Sequence, residues 1–156
     1  FENYRNKYSQ LRSEYLRSNK KRVDSLKQAE QLVIVLEEKC NEIASKLDHF
    51  YLNHERTKSG HLQIYCEYIY LVVQSYPNFD EYQLSITFNE GWLVERMRGE
   101  QRDKFKVFNF AIDITENGDL VWHKNRMFYD NYELADFLLR ELIEVNSRYS
   151  DKESQL

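Results

Sequence analysis

His49, His54 and His61 fall within thirteen residues, beside Asp48 and Glu55, and are the first residues whose types could do chemistry. Imidazole and carboxylate are ligands that a divalent transition metal takes. A helix that binds zinc places two ligands at i, i+4 on one face. His49 and His54 are instead five apart, about 140° around a helix. His61 lies beyond Gly60. Solvent-facing histidines near a helix end account for this spacing more simply than a metal centre, and no metal or other cofactor is expected. A small metal-dependent enzyme is the third of three functional readings.

Nucleophilic catalysis needs a Ser, Cys or Thr beside a base that a third group orients. Cys40 and Cys66 both sit among apolar residues without C-x-x-C spacing, which reads as two reduced core thiols in an intracellular compartment. No G-x-S-x-G elbow occurs, and His123 ends a short apolar run after Trp122. The four glycines, Gly60, Gly91, Gly99 and Gly118, are isolated, so no phosphate-cradling loop can be drawn. Glu37/Glu38 and Asp80/Glu81 stand where solvation is the expected role of a carboxylate pair. These features favour a protein that is not an enzyme.

A cationic cluster has more substance. Arg96, Arg98, Arg102, Lys104 and Lys106 place five cations in eleven residues, near Trp92 and Phe105, with Lys124 and Arg126 further on. Arginine beside aromatics on a sheet edge holds phosphates and stacks bases. Glu95, Glu100 and Asp103 offset part of that charge. An anion-binding or nucleic-acid-binding module is therefore the second reading.

The elements that must position these residues divide the chain unevenly. Residues 1–59 contain neither Gly nor Pro and carry helical spacing. Leu26, Val33, Cys40 and Leu47 recur every seven residues, and Ala29, Leu36, Ile43 and Phe50 follow each by three. Four successive a/d pairs predict a coiled coil, with these eight side chains as the oligomer interface. An earlier stripe, Tyr4, Tyr8, Leu11 and Tyr15, is out of phase with it. One long helix with a phase slip at Ser18–Arg22 is the expectation. Leu32–Leu36 is apolar all round, which also fits packing on the rest of the domain.

Residues 61–76 fit both helical spacing and strand alternation, and helix is favoured, stopped by Pro77. Beyond them the pattern is β. Leu84, Ile86 and Phe88 alternate, and Asn89-Glu90-Gly91 turns into a second strand, Trp92–Met97. Lys104–Thr115 alternates through Phe108, Phe110, Ile112 and Ile114. Asn117-Gly118 then signals a two-residue turn into Leu120–His123. Asp130 and Glu133 make a capping box, with Tyr129 and Leu134 as staple, for a last helix carrying Leu134, Leu138, Leu142, Val145 and Tyr149 on one face.

The fold class is thus α+β: a long N-terminal helix or coiled coil over residues 1–59, then a small α+β domain over residues 60–150. That domain is a four-stranded antiparallel meander with the C-terminal helix packed on it, followed by a frayed tail at residues 151–156. Twelve tyrosines add weight to an interface role. The first functional reading is a non-enzymatic scaffold that self-associates through its N-terminal helix and presents the α+β head to a protein partner. No run of apolar residues is long enough to span a membrane.

Overall fold

The computed structural model describes residues 2–77, 82–98 and 104–154. Helix α1 (Glu2–Arg17) and helix α2 (Asn19–Lys46) precede strands β1 (Asn53–Arg56), β2 (Leu62–Tyr65), β3 (Ile69–Pro77) and β4 (Tyr82–Glu90). A short helix α3 (Trp92–Arg98) leads to β5 (Lys104–Ile114), β6 (Leu120–Lys124), β7 (Met127–Tyr129) and helix α4 (Asn131–Ser154). All neighbouring strands are antiparallel and follow chain order, β1 through β7. The fold is α+β, as the pattern predicts, with seven strands among the described residues rather than four.

The single core lies between one face of this sheet and the helices α2 and α4. From the sheet it takes Leu62, Ile64, Leu71, Ile86, Phe88, Phe110, Ile112 and Trp122. Helix α4 contributes Leu134, Leu138, Leu142 and Val145, the expected stripe. Its capping box forms: the Glu133 N–H donates to Asp130 Oδ1 at 2.8 Å, and the Asp130 N–H donates to Glu133 Oε1 at 3.2 Å. Two buried asparagines fasten the layers. Trp122 Nε1 donates to Asn131 Oδ1 at 2.7 Å, and Asn131 Nδ2 donates on to the Gln28 carbonyl of α2 at 3.3 Å. The Tyr68 N–H donates to Asn146 Oδ1 at 2.9 Å.

Five further expectations need correction. First, no coiled coil is present among the described residues. Ala29, Val33, Leu36 and Cys40 are buried in the chain's own core, and Ile43 and Phe50 pack against it. Leu26 and Leu47, the first and last of the seven-residue series, are 48% and 45% exposed. Leu32 and Val35, outside the a/d seam, are as deeply buried as the seam itself. A wide apolar arc of this kind suits a broad sheet surface, not a narrow helix pair.

Second, the helical region is broken at Ser18 and ends at Lys46 instead of residue 59. Ser18 is extended (φ −90°, ψ 157°), and both its N–H and hydroxyl donate back to the Tyr15 carbonyl. His49 adopts φ 68°, which turns the chain towards β1. Strand β1 is Asn-His-Glu-Arg at a sheet edge, with no apolar alternation to betray it.

Third, residues 61–76 are not a helix but the β2–β3 hairpin. Leu62, Ile64 and Cys66 face inward, and after the Glu67-Tyr68 turn so do Ile69, Leu71 and Val73. The change of parity at the turn blurs the alternation, which is why a helical period fitted as well. Fourth, Trp92–Met97 belongs to α3, where Val94 is buried; β4 pairs with β5 instead.

The tight turn also moves. Asn125 and Arg126, at φ 49° and 66°, form the two-residue loop with both central residues left-handed, and they open the unforeseen β7. At Asn117-Gly118 only the glycine has positive φ (83°), within a longer loop closed by Thr115 and Asp119.

Helix α1 is tied elsewhere. Asp113 faces away from its buried neighbour Ile112, and Arg12 grips it from α1 through Nε at 2.9 Å and Nη2 at 2.6 Å. Tyr8 donates to the Ile114 carbonyl at 2.8 Å.

Candidate functional site

The residues with possible metal chemistry are dispersed. His49 lies in the α2–β1 turn, His54 on β1 and His61 just before β2. His54 Nε2 is 2.9 Å from Asn41 Oδ1, and its ring lies near Glu37. Among the described residues no three His, Cys, Asp or Glu side chains converge on one point.

The cationic cluster is also split. Arg96 is exposed on α3, while Lys104 and Lys106 stand on β5. Lys106 pairs with Glu141 of α4, and its ammonium lies 5.2 Å from the Phe108 ring centroid. Lys124 sits over the same ring at 4.0 Å, and burial, with Lys106 beside it, lowers its pKa. Lys106 is thus directed at α4, and Lys124 lies over Phe108, whose ring meets Phe137 of α4. The Arg98 side chain and Arg102 lie outside the described residues, as do Glu81, Gly99 and Asp103.

The better-formed site is a cleft of about 520 Å³ on the opposite side of the hairpin tip. It is lined by Tyr51, Gln63, Tyr65, Glu67, Tyr70 and Trp92, with Cys66, Ile69, Gly91 and Leu93 at its base. Register explains the assembly. Gln63 and Tyr65 alternate with inward-facing Leu62 and Ile64, so they stand on the sheet face that α2 and α4 leave open. Tyr70 is the cross-strand partner of Tyr65, and the two rings stack with centroids 5.4 Å apart.

Trp92 is brought to the rim by a close backbone approach. The Gly91 N–H donates to the Tyr68 carbonyl at 2.7 Å. A Cβ on Gly91 would lie 3.1 Å from that oxygen, tighter than side-chain-bearing residues normally accept. Asn146, holding Tyr68 from behind, ties the same turn to α4. Trp92 is nevertheless 60% exposed and Tyr51 52% exposed. Two large aromatic side chains are thus held in water beside a concave surface.

The polar groups of the cleft are few. Tyr65 donates its hydroxyl to Glu55 Oε1 at 3.0 Å, and Gln63 Oε1 faces the same hydroxyl. Burial, followed by the Glu55 carboxylate, pushes the Tyr65 phenol up to about 12, so it stays protonated at neutral pH. Burial, with Cys40 and Glu67 nearby, pushes the Cys66 thiol up to about 12. The thiolate is the reactive form of cysteine, so Cys66 contributes packing here and no nucleophile. Glu67 is the one charged side chain among the described lining residues.

The sequence names every part of this cleft but does not group them. Its only signal is the density of tyrosine from Tyr65 to Tyr76 and a Trp directly after Gly91.

Fold and site together define an α+β protein: a seven-stranded antiparallel meander, backed by helices on one face, with an aromatic cleft on the other. No family model matches the chain, and no curated protein or solved structure matches it either. Among the described residues no helix is long and apolar enough to cross a membrane.

Proposed function

We propose that this protein is a non-enzymatic interaction module that receives a segment of a partner protein in the aromatic cleft. The observation that carries this reading is the pair Trp92 and Tyr51, more than half exposed, on a concave site also lined by stacked Tyr65 and Tyr70. Exposed Trp and Tyr over a pocket are what interface anchors look like before a partner arrives. The protonated Cys66 and the hydrogen-bonded Tyr65 supply no activated group, which fits binding better than catalysis.

Immobilised protein exposed to a random peptide library carrying both unmodified and methylated lysine tests this reading. The wild type retains a defined subset of peptides, and the Trp92→Ala/Tyr51→Ala variant loses it. Retention of the same subset by both proteins overturns the proposal.

Self-association is a second reading with its own observation. Val23, Leu26 and Ile34 remain exposed along one side of α2, at i, i+3 and i+11. We propose that any dimer forms through this outer stripe, since the buried seam is already occupied. Sedimentation at increasing concentration then shows association in the wild type that Leu26→Glu/Ile34→Glu abolishes. A strict monomer at all concentrations removes this reading.

A further inference from the structure

We propose that the group seated in the cleft is an alkylated ammonium on a partner side chain, of the trimethyl-lysine type. This rests on the interaction-module reading and narrows it to one ligand chemistry.

Three observations converge. Aromatic faces dominate the lining: Tyr51, Tyr65, Tyr70 and Trp92 come together from the segment before β1, from β2, from β3 and from the start of α3. Aromatic rings attract cations through their negative faces, and most strongly where water is excluded. The charge in the site has the complementary sign. Glu67 lines the cleft, Glu55 stands behind the Tyr65 hydroxyl, and no Lys or Arg is among the described lining residues.

Hydrogen-bond accounting separates an alkylated ammonium from its unmodified relatives. A free lysine ammonium brings three N–H donors and a guanidinium five, all of which need acceptors when desolvated. In this cleft the single Tyr65 proton serves both Glu55 Oε1 and Gln63 Oε1, so the Gln63 oxygen is at most one neutral acceptor for a ligand. The Glu67 carboxylate is the one charged acceptor left for a row of N–H groups. A trimethylammonium group carries a full charge and no donor, so it needs only ring faces and a nearby carboxylate.

The same carboxylate argues for a protein side chain over a lipid headgroup. In phosphocholine an anionic phosphate follows the ammonium by only two carbons, so a like charge to Glu67 is tethered within a few bonds of the seated group. A modified lysine side chain has only methylenes there.

Isothermal titration calorimetry with four probes tests the proposal: N-acetyl-trimethyl-lysine methylamide, its neutral tert-butyl isostere, the unmethylated lysine derivative and phosphocholine. Trp92 emission reports occupancy of the site in the wild type, because Trp122 is fully buried and contributes a constant background. The trimethylated probe is expected to bind about tenfold more tightly than its neutral isostere, in keeping with a cation–π contact, and more tightly than the other two. Trp92→Ala is expected to lower its affinity about tenfold. Glu67→Gln is expected to lower it severalfold while leaving the neutral isostere unaffected. Both positions are exposed, so the variants keep the fold, which unchanged Trp122 emission or circular dichroism verifies.

Equal binding of the charged probe and its isostere overturns the ammonium assignment and leaves the interaction-module reading standing. Tighter binding of phosphocholine overturns the side-chain source. No heat and no Trp92 response to any probe, with peptide retention still dependent on Trp92, overturns this inference alone. If peptide retention is also independent of Trp92, both readings fall.

Discussion

Trp122 and Trp92 share a side chain and little else, and the contrast separates the two faces of the sheet. Trp122 is 0% exposed, its ring packed under α2 and α4 and its indole N–H donated to Asn131. Trp92 is 60% exposed, standing at the cleft on a glycine-enabled close approach. On the covered face Phe88, Phe110 and Trp122 are used to exclude water, and the one polar handle among them is satisfied inside the protein. On the open face the same residue types are positioned firmly by backbone contacts while their rings stay wet. Aromatic content by itself does not separate core from site; the fate of the polar atoms and the exposure of the rings do.

The largest expected break in this contrast comes from the covered face. Leu36 is fully buried on α2, and Leu36→Asp places a carboxylate where no partner waits. A loss of more than about 4 kcal/mol is expected, enough to unfold a domain of ordinary stability. Denaturation then shows a globally unfolded chain. A folded but dissociated protein would instead restore the coiled-coil reading. Trp122→Ala follows, at about 3–5 kcal/mol for the cavity it leaves. Trp92→Ala, its counterpart, is expected to shift stability by no more than about 0.5 kcal/mol. Urea denaturation of the two variants side by side measures the contrast directly, and equal losses would erase it.

A smaller effect isolates the polar handle. Asn131→Ala leaves the Trp122 N–H without its acceptor and removes the bond to the Gln28 carbonyl. A cost of about 1–3 kcal/mol is expected for the unsatisfied buried group. Asn146→Ala tests whether that logic reaches the cleft, because Asn146 holds the Tyr68 N–H from the covered side. Its expected signature is altered Trp92 emission together with a loss in the same range. Unchanged emission would show that the hairpin tip keeps its shape without α4.

The parts of the fold legible in the sequence are those where one residue pattern maps to one structure. The α4 capping box, the alternation of β4 and β5, and the Leu134-to-Val145 stripe read directly, because each has a period or a cap that no other element shares. The β2–β3 hairpin was ambiguous for a physical reason: the turn at Glu67-Tyr68 reverses the inward parity, and a broken period of two imitates a period near four. The heptads of α2 were equally ambiguous, since a/d spacing reports an apolar face and not what covers it. Strand β1 has no apolar residue at all. The cleft was illegible as a group because its four rings come from four separate places in the chain, and only strand register brings Tyr65 beside Tyr70.

The smallest effect concerns how each face is fastened and how acid acts on it. On the covered face the two asparagine links are neutral and do not titrate, with the part-buried Lys106–Glu141 pair beside them. Helix α1 is fastened by a charged pair, Arg12 on buried Asp113, with the Ile114 N–H also donating to the carboxylate at 2.8 Å. Burial raises the Asp113 pKa, but the Arg12 hydrogen bonds, the Ile114 N–H and the neighbouring positive charge outweigh it, and the net shift is downward. A carboxylate held below its unfolded value of about 3.9 contributes stability that is complete above that value and is lost as pH falls through the lower, folded one. Protection of α1 amides from hydrogen exchange is therefore expected to persist at pH 5 and to decline below about pH 4, ahead of the amides of α4. Arg12→Ala removes the largest stabilising partner and leaves burial to dominate, so the sign reverses: the acid decline disappears, and α1 is held less well at neutral pH than in acid. The cost at neutral pH stays near 1 kcal/mol, because Arg12 is itself 43% exposed and its charge is screened by solvent. Identical α1 protection in the wild type and the variant across this range would mean that the Tyr8 hydroxyl on the Ile114 carbonyl holds the helix by itself.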